Sequence, residues 1–310
     1  MRAMPMTDTR KAFLQIHLCV VLWGFTAILG KLITLPAMAL VVQRMAIVGV
    51  LLLLMPRVWR GIRAMGARLF GIYSGIGALV ALHWLTFYGS IKLANASVAV
   101  TCIAVASAFL PLVEPWLAGT RFDRRELVLG LAVIPGVALV VGGVPDGMHA
   151  GIAVGIVSAI LVAIFGALNK RFVERADPLT VTAVELGTGG ALLVILSPLI
   201  PWFGSPWILP DGRDALLIGV LAIACTLLPF ALSLVALRQM SAFAAQLAIN
   251  LEPVYAIVLA IVLLGEQREL GPMFYAGVAI ILAGVLLHPL LVKPRRPEPT
   301  TLGTSEGPLD

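Results

Sequence analysis

Ten apolar stretches, each about twenty residues long, take up most of this chain and leave only short polar connections. About 20 mainly apolar residues are needed for an α-helix to cross the hydrocarbon core of a membrane. Backbone groups cannot stay unpaired in lipid, and no stretch alternates as barrel strands do. The sequence therefore predicts an all-α integral membrane protein with ten transmembrane helices, at approximately residues 12–34, 37–56, 69–91, 96–118, 127–144, 150–168, 179–200, 214–237, 241–264 and 271–291.

The composition supports a membrane protein over a water-soluble one. Hydrophobic residues make up 60% of the 310 residues, charged residues only 12%, and the mean hydropathy is +1.02. Soluble domains usually carry about twice this charged fraction. The first apolar stretch is too long for a signal peptide and is expected to be an uncleaved helix. The polar, proline-rich tail at 292–310 is expected to be disordered and cytoplasmic.

The basic residues predict how the chain is oriented. With the N-terminus in the cytoplasm, 17 Lys and Arg residues fall on the cytoplasmic side and three, Lys92, Arg213 and Arg268, on the other. Cytoplasmic loops are enriched in Lys and Arg, so both termini are expected in the cytoplasm. The net charge of +6 comes from these short clusters, so it indicates topology, and no nucleic-acid partner is expected.

An internal repeat relates the two halves of the chain. At an offset of 142 residues, Trp23-Gly24 matches Phe165-Gly166, and Pro36 and Pro56 match prolines; at an offset of 146, Lys92, Ala96, Ala99 and Gly119 match similar residues. The repeat units are residues 12–144 and 150–291. Because five helices per unit is an odd number, the second unit enters the membrane from the opposite side. Such a 5+5 inverted-topology repeat suits alternating access.

Three passages carry a resemblance to a known family: LWGFTAILGK in helix 1, ALHWLTFYGSIKLANASVAVTC in helices 3 and 4, and LAINLEPVYAIVLAIVLLGEQREL in helix 9. With the inverted repeat, they resemble the EamA-type branch of the drug/metabolite transporter (DMT) superfamily over roughly residues 12–291. The resemblance implies an exporter or exchanger of metabolites, amino acids or drugs in the bacterial inner membrane. It also implies a central cavity lined by helices 1–4 and 6–9. The second half ends this helix with Gly265-Glu266, whereas the first half has Gly119-Thr120 at the corresponding place. Any role that the family gives to this glutamate can therefore apply only to Glu266.

Charged residues at membrane depth are the first functional candidates, because a charge in lipid is costly unless it faces a cavity or a partner. Arg44 in helix 2 and Glu185 in helix 7 lie at nearly equivalent places, since Gln43 matches Glu185. Two hypotheses for Arg44 stay open. It binds an anionic group such as a carboxylate, or it forms a structural ion pair, for example with Glu252.

Glu252 is the candidate for proton coupling. Pro253 follows it and removes a helix hydrogen bond, so a protonatable carboxylate lies beside a helix distortion. Hydrogen bonding of Glu252 to the freed backbone is the alternative. The same dipeptide recurs at Glu114-Pro115, where a solvated position at the cytoplasmic end of helix 4 is expected.

Amides and aromatic rings complete the candidate cavity. Gln246 and Asn250 share one stripe of helix 9, which predicts either substrate contact or bonding between helices. Trp84 and Tyr88 belong either to a cavity wall or to the aromatic belt at the membrane interface. The adjacent histidine is expected to pack or hydrogen-bond rather than to relay protons. The candidate substrate-binding residues are Trp23, Arg44, His83, Trp84, Tyr88, Glu185, Gln246 and Asn250.

Small residues at 94–108 and at the start of helix 9 predict that helices 4 and 9 approach closely. Pro111 and Pro115 would let helix 4 bend.

Other function classes lack their motifs. No zinc-binding His-Glu-x-x-His and no Gly-x-Ser-x-Gly turn occurs, which disfavours the alternative of an intramembrane enzyme. A receptor or non-transporting scaffold would need a larger extramembrane part. No catalytic residue, metal or cofactor is expected, and Cys19, Cys102 and Cys225 are predicted to be packing residues. The expected partners are a small-molecule substrate and membrane lipid, and a homodimer stays open.

Overall fold

The computed structural model describes residues 6–118, 122, 124–132, 134–172, 174–239, 248 and 251–291, and within these ranges the regular structure is entirely helical. Among these residues, five helices are each long and apolar enough to cross a membrane, and there are up to seven spans if each of two bent helix pairs is counted as one span. An all-helical membrane fold is thereby confirmed at this coarser level.

The helices of the first half are α1 (Met6–Leu32), α2 (Ala37–Leu53), α3 (Pro56–Ala64), α4 (Ala67–Leu93), α5 (Ala96–Ala104), α6 (Ala106–Ala118), α7 (Arg124–Leu131) and α8 (Ile134–Gly142). Those of the second half are α9 (His149–Phe172), α10 (Pro178–Leu196), α11 (Gly212–Ala222), α12 (Leu228–Gln239), α13 (Glu252–Leu259) and α14 (Pro272–Leu291). Two π-helical turns, Ile223–Leu227 and Ala260–Leu264, follow α11 and α13 directly.

Side chains in the loops fix several helix starts. Asn95 accepts a hydrogen bond from the Val98 N–H at 2.9 Å and begins α5. Asp177 and Asp211 cap α10 and α11 in the same way. Each cap satisfies a backbone donor that has no partner inside its own helix.

Two of the predicted spans are interrupted. The predicted helix 4 breaks at Val105 into α5 and a continuation bent by 50°. The break precedes Pro111 by six residues, so it does not lie at the predicted prolines. The predicted helix 5 divides into α7 and α8, where Pro135 supplies no N–H to the carbonyl of Leu131.

Helix α3 was not among the predicted stretches. It turns by 92° from α2 and exposes Arg57, Arg60 and Arg63, while Val58 on its other face is fully buried. Nine residues with three arginines are too short and too charged for a hydropathy scan to detect. The turn ends the predicted helix 2 at Leu53 instead of residue 56.

The two halves of the chain pack against each other rather than standing apart. Helix α4 packs against α9 and α10, α2 packs against α10, and α1 packs against α12 and α13. Helix α5 contacts α13, as expected for helices 4 and 9. Helix α8 packs mainly against α14.

The crossing of α4 and α10 is unusually close. A Cβ atom at Gly77 would lie 2.2 Å from the Glu185 carbonyl oxygen, so the two backbones meet at this point. Only glycine has no side chain to obstruct such an approach. This contact places the middle of α10 at the centre of the helix bundle.

Candidate functional site

Arg44 lies inside the bundle, on α2, and only 2% of its surface is exposed. Its Nη1 donates to the Tyr88 hydroxyl at 2.7 Å, and its Nε donates to the Thr226 hydroxyl. Its Nη2 makes a longer contact of 3.4 Å with the Cys225 carbonyl. Elements from both halves of the chain therefore hold this guanidinium.

Trp84 and Tyr88 form the aromatic side of the site. The guanidinium carbon lies 3.8 Å above the Trp84 ring centroid, within the range of a cation–π interaction. Tyr88 is fully buried, and a Cβ atom at Gly30 would lie 2.4 Å from its ring, so α1 closes over it. Both rings are buried around Arg44 and are not part of an aromatic belt facing lipid.

The π-helical turn Ile223–Leu227 supplies the hydroxyl group of Thr226 that Arg44 contacts. Thr226 donates to the Leu221 carbonyl at 2.7 Å, five residues earlier, and this bond turns its oxygen towards Arg44. Such turns occur frequently at functional sites. Sequence reasoning missed Thr226, because nothing in the local sequence signals a π-helical turn.

No carboxylate forms an ion pair with Arg44 in the described part of the chain. An ion pair with Glu252, the example given for the structural hypothesis, is not formed: both residues are described, and no nitrogen–oxygen contact within 4 Å joins them. The partners of Arg44 are two hydroxyls, a carbonyl and an aromatic ring, and all of them are neutral. The buried positive charge is therefore not neutralised by these neighbours.

Glu185 is the second buried ionisable candidate, and it lies on α10. It is fully buried, and neither carboxylate oxygen makes a hydrogen bond to a described residue. The Asn169 amide on α9 lies near enough to interact with it. The structure thus places Glu185 among α4, α9 and α10, apart from the groups that contact Arg44.

His83 and Trp23 lie beside the site and do not contact Arg44. The His83 Nδ1 lies 2.8 Å from the Ser158 hydroxyl, which donates to the His83 carbonyl at 2.9 Å. This contact joins α4 to α9 and agrees with the expected packing and hydrogen-bonding role. Trp23 is half-buried on α1, next to the place where Gly24 meets Tyr255 of α13.

The stripe on helix 9 is only partly described. Gln246 and Asn250 lie outside the described residues. Glu252 begins α13 and is half-buried, with Pro253 in the first turn, where a helix needs no N–H from proline. The carbonyl that this proline was expected to free belongs to residue 249, which also lies outside the described residues.

Two buried carboxylates join the halves at one end of the bundle, which we call the Thr34 end. Asp214, only 1% exposed, accepts from the Thr34 N–H at 2.9 Å and from the Thr34 hydroxyl at 2.7 Å. Glu266 accepts from the N–H groups of Ala96 and Ser97 at the start of α5. Asp214 was not singled out from the sequence, because an acidic residue in the first turn of a helix is usually a solvent-exposed capping residue.

At the opposite end, which we call the Arg57 end, surface ion pairs join the halves. Arg57 pairs with Asp177, and the Lys170 ammonium lies 2.5 Å from Glu114. Glu114 thus lies at the end of predicted helix 4, but only 17% of its side chain is exposed, so it is less solvated than expected. The cations of both pairs are largely exposed, and surface ion pairs generally contribute little stability.

The described residues show no cluster of three His, Cys, Asp or Glu side chains that could hold a metal ion. All three cysteines are buried and free, in agreement with a packing role. A surface depression of about 520 Å³ lies between α8 and α14, lined by Gly142–Pro145, Glu269 and Gly271–Met273. None of these residues belongs to the Arg44 site.

The model of the EamA-like transporter family matches this chain twice, over residues 10–142 and 149–290. No curated protein matches the sequence significantly. Seventeen chains of solved structures match; one, described as "Crystal structure of protein", aligns with a TM-score of 0.62 and 18% identity over 91% of this chain and 97% of that chain. That likeness shows the fold alone, whereas the two family matches cover nearly the whole sequence, so this chain belongs to the EamA-like transporter family.

Proposed function

We propose that the protein is a secondary transporter that moves a small metabolite, amino acid or drug across the membrane by alternating access. One observation carries the proposal: the buried guanidinium of Arg44 is held jointly by the first half, through Tyr88 and Trp84, and by the second, through Thr226. A polar centre at the contact of two repeats is where such transporters bind substrate. Membership in a transporter family favours this function over an intramembrane enzyme or a receptor.

The proposed topology is ten spans in a 5+5 inverted repeat, with units at 12–144 and 150–291. The 17-to-three distribution of basic residues supports placing both termini in the cytoplasm. The Arg57 end would then be cytoplasmic and the Thr34 end external. The family resemblance supports the bacterial inner membrane as the location and export or exchange as the direction.

The proposed cavity contains Arg44, Trp84 and Tyr88 at its centre. The other candidate residues are Trp23, His83, Glu185, Gln246 and Asn250, and Glu252 is the candidate for proton coupling. Burial of the central three residues supports this assignment, because polar and aromatic side chains enclosed together inside a membrane bundle mark substrate pathways.

The test is transport by purified protein in proteoliposomes. Vesicles are loaded with one compound of an amino-acid and metabolite panel, and the entry of the same labelled compound is followed with and without a pH gradient. A transporter gives saturable entry that internal substrate accelerates. Correctly folded protein that accelerates entry of no compound in the panel would refute the proposal.

A further inference from the structure

We infer that the substrate carries a single carboxylate, which binds Arg44 between Trp84 and Tyr88 while Thr226 orients the guanidinium. This inference rests on the proposed transport function and adds the chemical class of the substrate. It depends on the charge, the free donors and the enclosure of the site.

The charge of the site is the first argument. A buried ion is strongly unfavourable unless an opposite charge or a full set of hydrogen bonds compensates it. Arg44 has neither in the described part of the chain. A bound anion would supply the compensation, and one negative charge would balance the one arginine. A phosphate monoester carries about two charges near neutral pH and would leave an excess.

The free donors are the second argument. A guanidinium has five N–H groups, and the hydrogen bonds of Arg44 use three of them. The Tyr88 hydroxyl accepts from Arg44 and donates to no acceptor among the described residues, so none of these uses its hydrogen. Donors from Arg44 and Tyr88 thus lie side by side, an arrangement that suits the two oxygens of one carboxylate.

Thr226 and Trp84 determine how the guanidinium is held. The Thr226 hydroxyl hydrogen is used by Leu221, so its oxygen faces Arg44 only as an acceptor. Trp84 covers one face of the guanidinium plane. With the face and the Nε edge occupied, the Nη edge is where the anion binds. Thr226 is therefore a positioning residue, and Arg44 and Tyr88 are the contact residues.

The probes are two pairs of compounds that differ only in charge: labelled benzoate against benzamide, and acetate against acetamide. Binding is measured on the purified protein and counterflow in proteoliposomes. Charge-assisted hydrogen bonds are worth about 1.5–3 kcal/mol, so wild-type protein should bind each tested acid at least about tenfold more tightly than its amide.

Three variants test which residues cause the preference for the acid over its amide. Arg44→Gln should reduce the ratio of the affinity for the acid to that for the amide to near one. Tyr88→Phe, which keeps the ring packing, should weaken acid binding several-fold and leave amide binding unchanged. Arg57→Gln removes an exposed arginine at the next helix and should keep the wild-type ratio. If Arg44→Gln does not fold, the result for Tyr88→Phe alone tests the carboxylate assignment.

The results separate this inference from the transport proposal. Equal binding of acids and amides by the wild type, absence of acid binding, or an unchanged ratio in the Tyr88 variant overturns the carboxylate assignment. Transport of neutral panel compounds would meanwhile leave the transport function standing. A preference that is lost in the Arg44 and Tyr88 variants but kept in the Arg57 variant supports the assignment.

Discussion

Glu266 and Ser97, 169 residues apart in sequence, meet through a hydrogen bond of 2.8 Å from the Ser97 N–H to the Glu266 carboxylate. The other carboxylate oxygen accepts from the Ala96 N–H at 2.9 Å. A glutamate of the second half thus caps the first turn of α5 in the first half. A negative charge at a helix N-terminus is favourable, and here it also joins the two halves.

Replacing Glu266 with alanine should destabilise the protein, because the two N–H groups at the start of α5 lose their acceptors inside the bundle. A buried donor left without a partner costs roughly 1–3 kcal/mol. The measurement is the unfolding midpoint in mild detergent. Gln267→Ala is the matched control, since Gln267 is the next residue, is exposed, and its side chain makes no hydrogen bond to a described residue. Equal midpoints for the two variants would contradict the capping role.

Linking Thr34 to Asp214 should stop transport reversibly, because the proposed alternating access would require the Thr34 end to open during each cycle. Cysteines at both positions, in a background without the three native cysteines, are joined by a short reducible thiol reagent. Transport should fall when the two cysteines are cross-linked and return when the link is reduced. The reagent should not change transport by either single-cysteine variant. Full transport by the cross-linked protein would show that this end does not move.

Gly77→Ala should destabilise the crossing of α4 and α10, because the new methyl group would lie 2.2 Å from the Glu185 carbonyl oxygen. The backbones must separate to admit it, and overpacking of this kind typically costs about 1–3 kcal/mol. Gly75→Ala, two residues earlier with nothing within 4 Å of the added atom, is the control and should be near neutral. Thermal unfolding in detergent compares them.

Glu252→Gln should remove the response of transport to a pH gradient, because an amide cannot carry the proton. Glu185→Gln is the informative comparison, since that carboxyl is more deeply buried and makes no hydrogen bond to a described residue. If Glu252 couples transport to protons, the Glu185 variant keeps its gradient response. If the response to the pH gradient survives in the Glu252 variant and disappears in the Glu185 variant, proton coupling would be assigned to Glu185 on α10 instead.

Membrane-impermeant thiol labelling should place the Arg57 end and the C-terminal tail on the same face. Single cysteines at Arg60 and Ser305 should react only from the cytoplasmic side, and one at Glu269 only from outside. The reason is the concentration of basic residues in the segments on one side. Arg60 and Ser305 variants that label from different sides would exclude an even number of spans between them.

Much of the architecture follows from the sequence, but the interruptions within helices do not. Helical segments lie in each of the ten predicted stretches, because hydrophobicity over twenty residues is a local property. The break at Val105 and the turn at Ile223–Leu227 carry no comparable signal. At the turn, a group from a distant part of the chain takes part, since the Cys225 carbonyl accepts from Arg44 of α2.

Hydropathy and the internal repeat were enough to predict a membrane protein of two related halves, in which Arg44 is a charge that needs compensation. The partners of Arg44 could not be predicted in this way: it contacts Tyr88 and Thr226 and not Glu252. The difference lies in the distance along the chain over which each property acts. Hydropathy and charge are read residue by residue, whereas hydrogen-bond partners 44 and 182 residues away are brought together only by packing of whole helices.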